Sequence, residues 1–387
     1  MPAPVDDVVR IPSPGPEGMS ALRHLQDELS ELNRAGLLRT PPVAGVPAGM
    51  LVLCSNDYLG YAGLPLSSAD DASGAGASRL VSGTHEAHLV AEREVAAWLG
   101  TEAALLFSSG YAANVGTLAA LARPGDVIVS DALNHASIID GCRLSRAAVE
   151  VVRHGDLSSV EVALTRAGGA RRRWVVTESL FSMDGDTPDL RGLRELCDRH
   201  DAALIVDEAH ALGVFGPSGA GLCAEAGVRP DVLVGTLGKS LGLHGAFVAG
   251  SSTLRTYLWN RARSFVFSTG ISPMVALATV DRVRRAAADD AGRARLATVT
   301  DRLRSGLREL GARLLPGSSG PILPWVLESP SVAVEMSQRL ARQGILVQAI
   351  RPPTVPAGTS RLRITSSASL SETDVARALA GFREAMQ

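Results

Sequence analysis

Lysine and arginine together number 38 in this 387-residue chain, and Lys239 is the only lysine, which leaves 37 arginines. Arginine therefore serves almost everywhere a positive charge is useful. It cannot replace an amine that must lose its proton and bond to a carbonyl, because a guanidinium stays protonated in proteins. A surface lysine retained by chance is the ordinary alternative, and the setting argues against it. The apolar run Asp231-Val232-Leu233-Val234 reads as a strand that empties into the Gly-flanked turn Thr236-Leu237-Gly238-Lys239-Ser240-Leu241-Gly242. Schiff-base chemistry, with a carbonyl substrate or with pyridoxal 5'-phosphate (PLP), fits an amine so placed.

Pyridoxal phosphate makes further demands, and residues of the right type follow in order. Asp207 ends an apolar run and can pair with the pyridine nitrogen, a charge-assisted bond worth about 1.5–3 kcal/mol. Ser109-Gly110-Tyr111 opens a helical stretch, where backbone N–H groups hold an anion. His135 offers a flat ring, and His210, three residues after Asp207, can reach the ring hydroxyl. Singly, each has a plainer explanation. An Asp after a strand is more often a helix cap, a lone His is usually structural, and a Ser-Gly pair marks a turn. The joint order carries the signal: anion loop, His, Asp-x-x-His, then the single Lys.

The elements that must hold these residues form a repeated device. Apolar strands are expected at Ala103–Phe107, Asp126–Ser130, Trp174–Thr177, Ala203–Val206, Val232–Val234 and Ala246–Ala249, with helices between them. Continuous apolar strands alternating with helices imply a mostly parallel sheet covered on both faces, an α/β body with ligands beyond the carboxyl ends of the strands. Upstream, five prolines in residues 1–18 suggest a flexible tail. Leucines 22, 25, 29 and 32 predict a helix capped at Ser20 and stopped at Gly36. Leu51–Leu53 reads as a short strand, and a helix is expected over His85–Leu99. Residues 274–315 read as helical with a break near Gly292. Strands at Ile322–Leu327, Ile345–Ala349 and Arg361–Thr365, a helix at Val332–Arg342 and a last helix from Glu372 complete a smaller α+β unit. The expected divisions are a tail (1–18), an N-terminal helical segment (19–50), a large domain (51–273) and a small one (274–387).

Composition narrows the function. A formal charge of −2 gives no reason to expect nucleic acid or an anionic membrane as partner, and no run of 18 apolar residues suggests a membrane span. The four cysteines lie far apart without a CxxC pair, which argues against a structural zinc or a redox dithiol and suits a reducing cytoplasm. No metal site is expected.

The chain resembles the α-oxoamine synthases, fold-type I PLP enzymes that join an amino acid to an acyl thioester. The resemblance rests on Ser55-Asn56-Asp57-Tyr58-Leu59-Gly60, Ser78-Arg79-Leu80-Val81-Ser82-Gly83, Ser109-Gly110-Tyr111-Ala112-Ala113-Asn114, Asn134-His135-Ala136-Ser137, Phe181-Ser182-Met183-Asp184-Gly185-Asp186, Val206-Asp207-Glu208-Ala209-His210, Thr236-Leu237-Gly238-Lys239 and Phe267-Ser268-Thr269. It spans roughly residues 20–387. One departure stands out. Residues 61–77 are shorter than the family's usual helical segment by about one or two turns and contain Pro65 and three Gly.

The resemblance implies a role for each matched position. Lys239 carries the cofactor and later moves the substrate α-proton. Asp207 pairs with the pyridine nitrogen, His135 stacks on the ring, and Ser182 and His210 bond the ring hydroxyl. Ser109, Gly110, Tyr111 and Thr236 hold the phosphate or the adjacent ring edge. Ser268 and Thr269 reach the phosphate of a neighbouring subunit, which implies a homodimer with shared sites. Arg351 takes the amino-acid carboxylate, Asn56 and Thr354 line the substrate side, and Arg39 meets the distal carboxylate of the acyl chain. The stretch Arg351-Pro352-Pro353-Thr354-Val355-Pro356-Ala357-Gly358-Thr359 points to the branch that condenses L-alanine with pimeloyl-CoA or a pimeloyl carrier protein in biotin synthesis. Glycine-using branches carry a related stretch and remain an alternative. So does a non-catalytic partner subunit of the same fold, although Lys239, Asp207 and His135 argue against it.

Overall fold

The computed structural model describes residues 22, 24–35, 37–38, 46–47, 49–66 and 73–387. The expected tail, the Ser20 cap, the Gly36 stop and Arg39 lie outside the described residues. In chain order the strands are β1 (Leu51–Val52), β2 (Ala103–Phe107), β3 (Val127–Asp131), β4 (Ala148–Val152), β5 (Arg173–Glu178), β6 (Ala202–Asp207), β7 (Val232–Thr236), β8 (Ala246–Gly250), β9 (Ile322–Glu328), β10 (Ile345–Leu346), β11 (Gln348–Ile350) and β12 (Ser360–Thr365).

Seven of them form one sheet in the order β2-β8-β7-β6-β5-β3-β4. Neighbours from β4 through β7 pair parallel, because a crossover helix returns the chain between them. β8 runs antiparallel to both β7 and β2. No crossover helix separates β7 from β8; the turn bearing Lys239 joins them as a hairpin, with Thr236 opposite Ala246. β4 is absent from the sequence expectation. It is an edge strand whose Val149 and Val151 are exposed, so its sequence lacks the buried apolar signature of the inner strands.

Alternate strand residues pack on opposite faces. Ile128, Val176, Ile205 and Val234 meet the helices Gly110–Leu121, Ala136–Ser145 and Ser252–Arg261 on one face. Val129, Val175, Leu204 and Val206 meet Leu157–Arg166 and Leu190–Arg199 on the other. The α/β expectation of a helix-covered, mostly parallel sheet is the observed architecture.

The C-terminal α+β unit is a three-stranded antiparallel sheet, β11-β12-β9, covered by the helices Asp290–Glu309, Pro330–Arg342 and Glu372–Ala385. Trp325 and Phe382 meet edge to face at 6.0 Å in its core. The expected strand at 345–349 divides in two. Ile345–Leu346 pairs parallel with Leu51–Val52, while Gln348–Ile350 pairs with β12. The helical break falls at Asp289, between Pro273–Ala288 and Asp290–Glu309, rather than at Gly292. Asp289 caps the second helix by accepting the Gly292 N–H at 2.8 Å, and a Cβ on Gly292 would lie 2.2 Å from that carboxylate. Gly292 is therefore the residue the cap requires, not the break itself.

Candidate active site

Four adjacent strands deliver four side chains to one crevice. His135 follows β3, Glu178 ends β5, Asp207 ends β6, and Lys239 lies three residues beyond β7. This is the carboxyl edge where open α/β sheets bind ligands.

Asp207 is 7% exposed and accepts Asn114 Nδ2 at 2.7 Å and the Ala209 N–H at 2.8 Å. The same Asn114 nitrogen donates to Ser137 Oγ at 3.0 Å. That hydroxyl therefore turns its own proton to His135 Nδ1, 2.7 Å away, which also accepts the Ser137 N–H at 3.2 Å. With Nδ1 accepting, His135 carries its proton on Nε2. Desolvation holds its pKa below that of an ordinary imidazole, outweighing the pull of Asp207, and the Lys239 charge adds to the lowering. The result is a neutral ring, exposed towards the crevice.

A second chain starts at the amine. Lys239 Nζ lies 2.7 Å from His210 Nε2, His210 Nδ1 lies 2.7 Å from the Tyr58 hydroxyl, and that hydroxyl donates to Asn56 Oδ1 at 3.1 Å. Burial first, then the charges of Lys239 and Arg363, push the His210 pKa well below 6.5. His210 is therefore neutral, protonated on Nδ1, and turns a lone pair to the lysine. Desolvation also lowers Lys239 to about 8, against the opposing pull of Asp207. Its amine holds a substantial free-base fraction near neutral pH, the form able to attack a carbonyl.

Glu178 stands in register beside Asp207, 4% exposed. Burial and the Asp207 charge raise it to about 8, while Lys239 and the N–H groups of His135 and Ser182 oppose the rise. Its Oε1 is buried without a hydrogen-bond partner. Burial thus favours the protonated form of Glu178.

The small unit closes one side. From β12, Arg363 donates to Asn56 Oδ1 at 3.0 Å and to the Ser182 carbonyl, while Arg361 donates to Asp184 Oδ1 at 2.7 Å. Both guanidinium groups are buried. Arg351 and Thr354 sit beyond β11, where the Thr354 N–H donates to the Arg351 carbonyl at 3.0 Å. They line a cavity of about 520 Å³ together with Leu29, Leu32, Leu37 and Leu38.

The helix Gly110–Leu121 begins beside the end of β7. Ser109 caps it by accepting the Ala112 N–H at 3.1 Å, and the first-turn N–H groups have no intrahelical acceptor. A Cβ on Gly110 would stand 4.0 Å from the Thr236 Oγ1, so helix terminus and hydroxyl are neighbours. The Tyr111 hydroxyl donates to Asp140 Oδ2 at 2.5 Å. Ser268 and Thr269 lie on a segment tied to residues 77–78, through a Ser78–Thr269 bridge and a Gly270 N–H to Ala77 carbonyl bond of 3.0 Å.

Four residues of this geometry receive no role from the sequence alone. Asn114 closes the Ser109–Asn114 motif without a function of its own. Glu178 follows its strand much as Asp207 does. Tyr58 lies inside an already noted motif. Arg363 follows Arg361 at the two-residue spacing that puts both on one face of β12.

The set fits pyridoxal phosphate: a half-desolvated amine, a buried carboxylate held by two donors, a neutral imidazole and a helix terminus facing a hydroxyl. Comparison with known proteins agrees. A model of the family "Aminotransferase class I and II" matches residues 48–382. The chain is 43% identical over 377 residues to an 8-amino-7-oxononanoate synthase of Marinobacter nauticus, covering 92% of this chain and 95% of the relative. It is 47% identical over 367 residues to the protein of that name from Anaeromyxobacter dehalogenans, covering 90% and 92%. Among solved structures, a serine palmitoyltransferase of Sphingomonas wittichii superposes with a TM-score of 0.87 at 32% identity, covering 95% of this chain and 97% of that one. A serine palmitoyltransferase of S. paucimobilis with bound PLP gives 0.86 at 29% identity over the same shares. The chain belongs to the class I and II aminotransferase family and, within it, to the PLP-dependent α-oxoamine synthases.

Proposed function

We propose that this chain condenses L-alanine with a pimeloyl thioester, on coenzyme A or a carrier protein, and releases carbon dioxide and 8-amino-7-oxononanoate for biotin synthesis. The observation that carries the reading is the convergence of Lys239, Asp207, His135 and Arg363 on one crevice. The substrate assignment draws on relatives of 43–47% identity that bear this activity in their names. The test is release of free thiol by the PLP-loaded protein with L-alanine and pimeloyl-CoA, run beside glycine with succinyl-CoA. Release with the glycine pair alone would keep the family and discard the substrate.

Bound pyridoxal phosphate supplies the electron sink for the charge left when the amino acid loses its α-proton. The chain's own residues do the rest. Lys239 would hold the cofactor, and its amine, once free, would take the α-proton. His210 accepts from the Lys239 amine and keeps it oriented. Asp207 would face the pyridine nitrogen, and Asn114 and the Ala209 N–H fix its direction. His135 would border the ring. Ser109, Gly110, Tyr111 and Thr236 would hold the phosphate end, and Ser182 would stand near the ring.

The resemblance implied Arg351 for the amino-acid carboxylate; this reading gives that role to Arg363 instead, because its guanidinium lies close enough to Lys239 to lower that amine's pKa, whereas Arg351 stands in the cavity beyond β11. Arg351 and Thr354 line the acyl side from the cavity they share with the leucines of the N-terminal helix His24–Arg34, and Arg39 is assigned to the distal acyl carboxylate.

The working unit is a homodimer in this reading, with Ser268 and Thr269 completing the partner's phosphate site. Exposed Val81 and Phe267 on the joined 78–83 and 267–270 segments support an apolar contact there. Cys142, Cys197 and Cys223 are buried free thiols, which supports a reducing, cytoplasmic setting. Among the described residues, no helix is long and apolar enough to cross a membrane.

A further inference from the structure

His154 follows β4, and each of its ring nitrogens faces a carboxylate. Nδ1 lies 2.9 Å from Asp131 Oδ1, and Nε2 lies 2.8 Å from Asp186 Oδ2. A neutral imidazole carries one N–H, so it would satisfy one carboxylate and turn a lone pair on the other. An imidazolium satisfies both. Asp131 ends β3 and is already fixed by the N–H groups of Leu133 at 2.8 Å and Gly155 at 3.0 Å.

Asp186 closes a tight turn. Its carbonyl accepts the Phe181 N–H at 2.9 Å, and the Gly185 N–H returns to the Phe181 carbonyl at 2.9 Å. The Phe181 ring meets the imidazole edge to face at 4.4 Å. On the other side of the turn, Arg361 holds Asp184 and Arg363 holds the Ser182 carbonyl. Cations therefore grip residues 181–186 from both the large sheet and the small unit.

We propose that His154 is a positioning residue: a permanent cation that clamps the 181–186 turn to the end of β3 and so sets Ser182 at the rim of the crevice. The proposal rests on the functional reading only in taking Ser182 to face the cofactor. Asp131 and Asp186 are the charged groups that face the ring. Their hydrogen bonds, Asp131 first, hold the imidazolium up to about 10 against the opposing effect of burial.

Two measurements on the full-length protein test it. The first is nitrogen NMR of 15N-histidine-labelled, cofactor-free protein at a pH of about 8.5, well above the ordinary imidazole range. The His154 signals, identified by their loss in His154→Gln, are expected to show both ring nitrogens protonated. A neutral tautomer would overturn the clamp. The second is PLP titration followed by the absorbance of the bound cofactor. His154→Gln is expected to bind PLP about 10-fold more weakly, with a displaced absorbance band. Asp186→Asn, which keeps the shape and removes one charge, shifts both in the same direction by less. It carries the test if His154→Gln does not fold. Wild-type affinity and an unmoved band in the folded variants would defeat the positioning role. If the wild type itself takes up no PLP, the functional reading fails, while the ring-nitrogen measurement still decides the clamp.

Discussion

Lys239 Nζ and His210 Nε2 stand 2.7 Å apart, with the imidazole held neutral. The contact aims the only primary side-chain amine of the chain without adding a second positive charge beside it. A charged partner would have driven the amine pKa lower still, and an apolar one would have left its donors unsatisfied.

The amine must lose its proton before it can capture the cofactor, and its pKa is lowered to about 8. The rate of PLP uptake by cofactor-free protein is therefore expected to rise with pH through about 8 and then level. Stopped-flow absorbance across pH checks this. A rise that continues towards pH 10.5 would mean the crevice does not desolvate Lys239.

Asp207 and Asn114 separate charge from aim. Asp207→Asn removes the anion and is expected to cut kcat by about 10²–10³-fold, the usual cost of losing one preorganised electrostatic partner. Asn114→Ala keeps the anion and loses the donor shared with Ser137, so about a 10-fold loss is expected. Steady-state kinetics on both variants decides, and equal losses would mean that Asn114 does more than orient.

Arg363 and Arg351 divide the substrate between them. Arg363→Lys keeps a charge but loses the planar fork, and KM for alanine is expected to rise by about 10-fold or more. Arg351→Lys is expected to disturb the acyl thioester KM first. The opposite pattern would move the alanine carboxylate to the 351–354 turn.

Glu178 couples stability to pH. Its folded pKa is raised from 4.5 to about 8 because burial and Asp207 oppose its charge. The folded state therefore holds this proton more tightly than the unfolded chain. The contribution is complete below about 4.5 and is lost as pH rises through about 8, with a limiting slope of about 1.4 kcal/mol per pH unit. Glu178→Gln cannot titrate, so the Tm of cofactor-free protein should fall less over this window than in wild type. Parallel Tm curves would show that Glu178 is already ionised.

Packing makes a separate prediction at the helical break. Gly292→Ala would bring a methyl within 2.2 Å of the Asp289 carboxylate, displacing the cap that Tyr61 also engages at 2.6 Å. A loss of about 1–3 kcal/mol is expected in denaturant unfolding. An unchanged midpoint would mean that the cap carries no stability.

Much of this was legible in the chain. The strands β2, β3, β5, β6, β7 and β8 announce themselves as apolar runs because both their faces are buried, and the sole lysine marks its own turn. β4 escapes because an edge strand with exposed Val149 and Val151 lacks that signal. The reversed direction of β8 escapes because strand polarity depends on the connection, not on the strand's residues. Glu178 and Arg363 escape for a different reason. Their roles come from register: Glu178 stands opposite Asp207, and Arg363 reaches the crevice only once β12 has been laid against β9. The break at Asp289 rather than Gly292 shows the same thing at one residue, since the cap is a contact between two side-chain positions and the sequence displays only the glycine it needs.

That Lys239 holds the cofactor can be tested directly, because the chain has no other lysine. The protein would be loaded with PLP, reduced with borohydride, digested and mapped by mass spectrometry. One phosphopyridoxyl group is expected, on the peptide containing Lys239, and none in Lys239→Ala. A loaded protein that yields no label at Lys239 would contradict it.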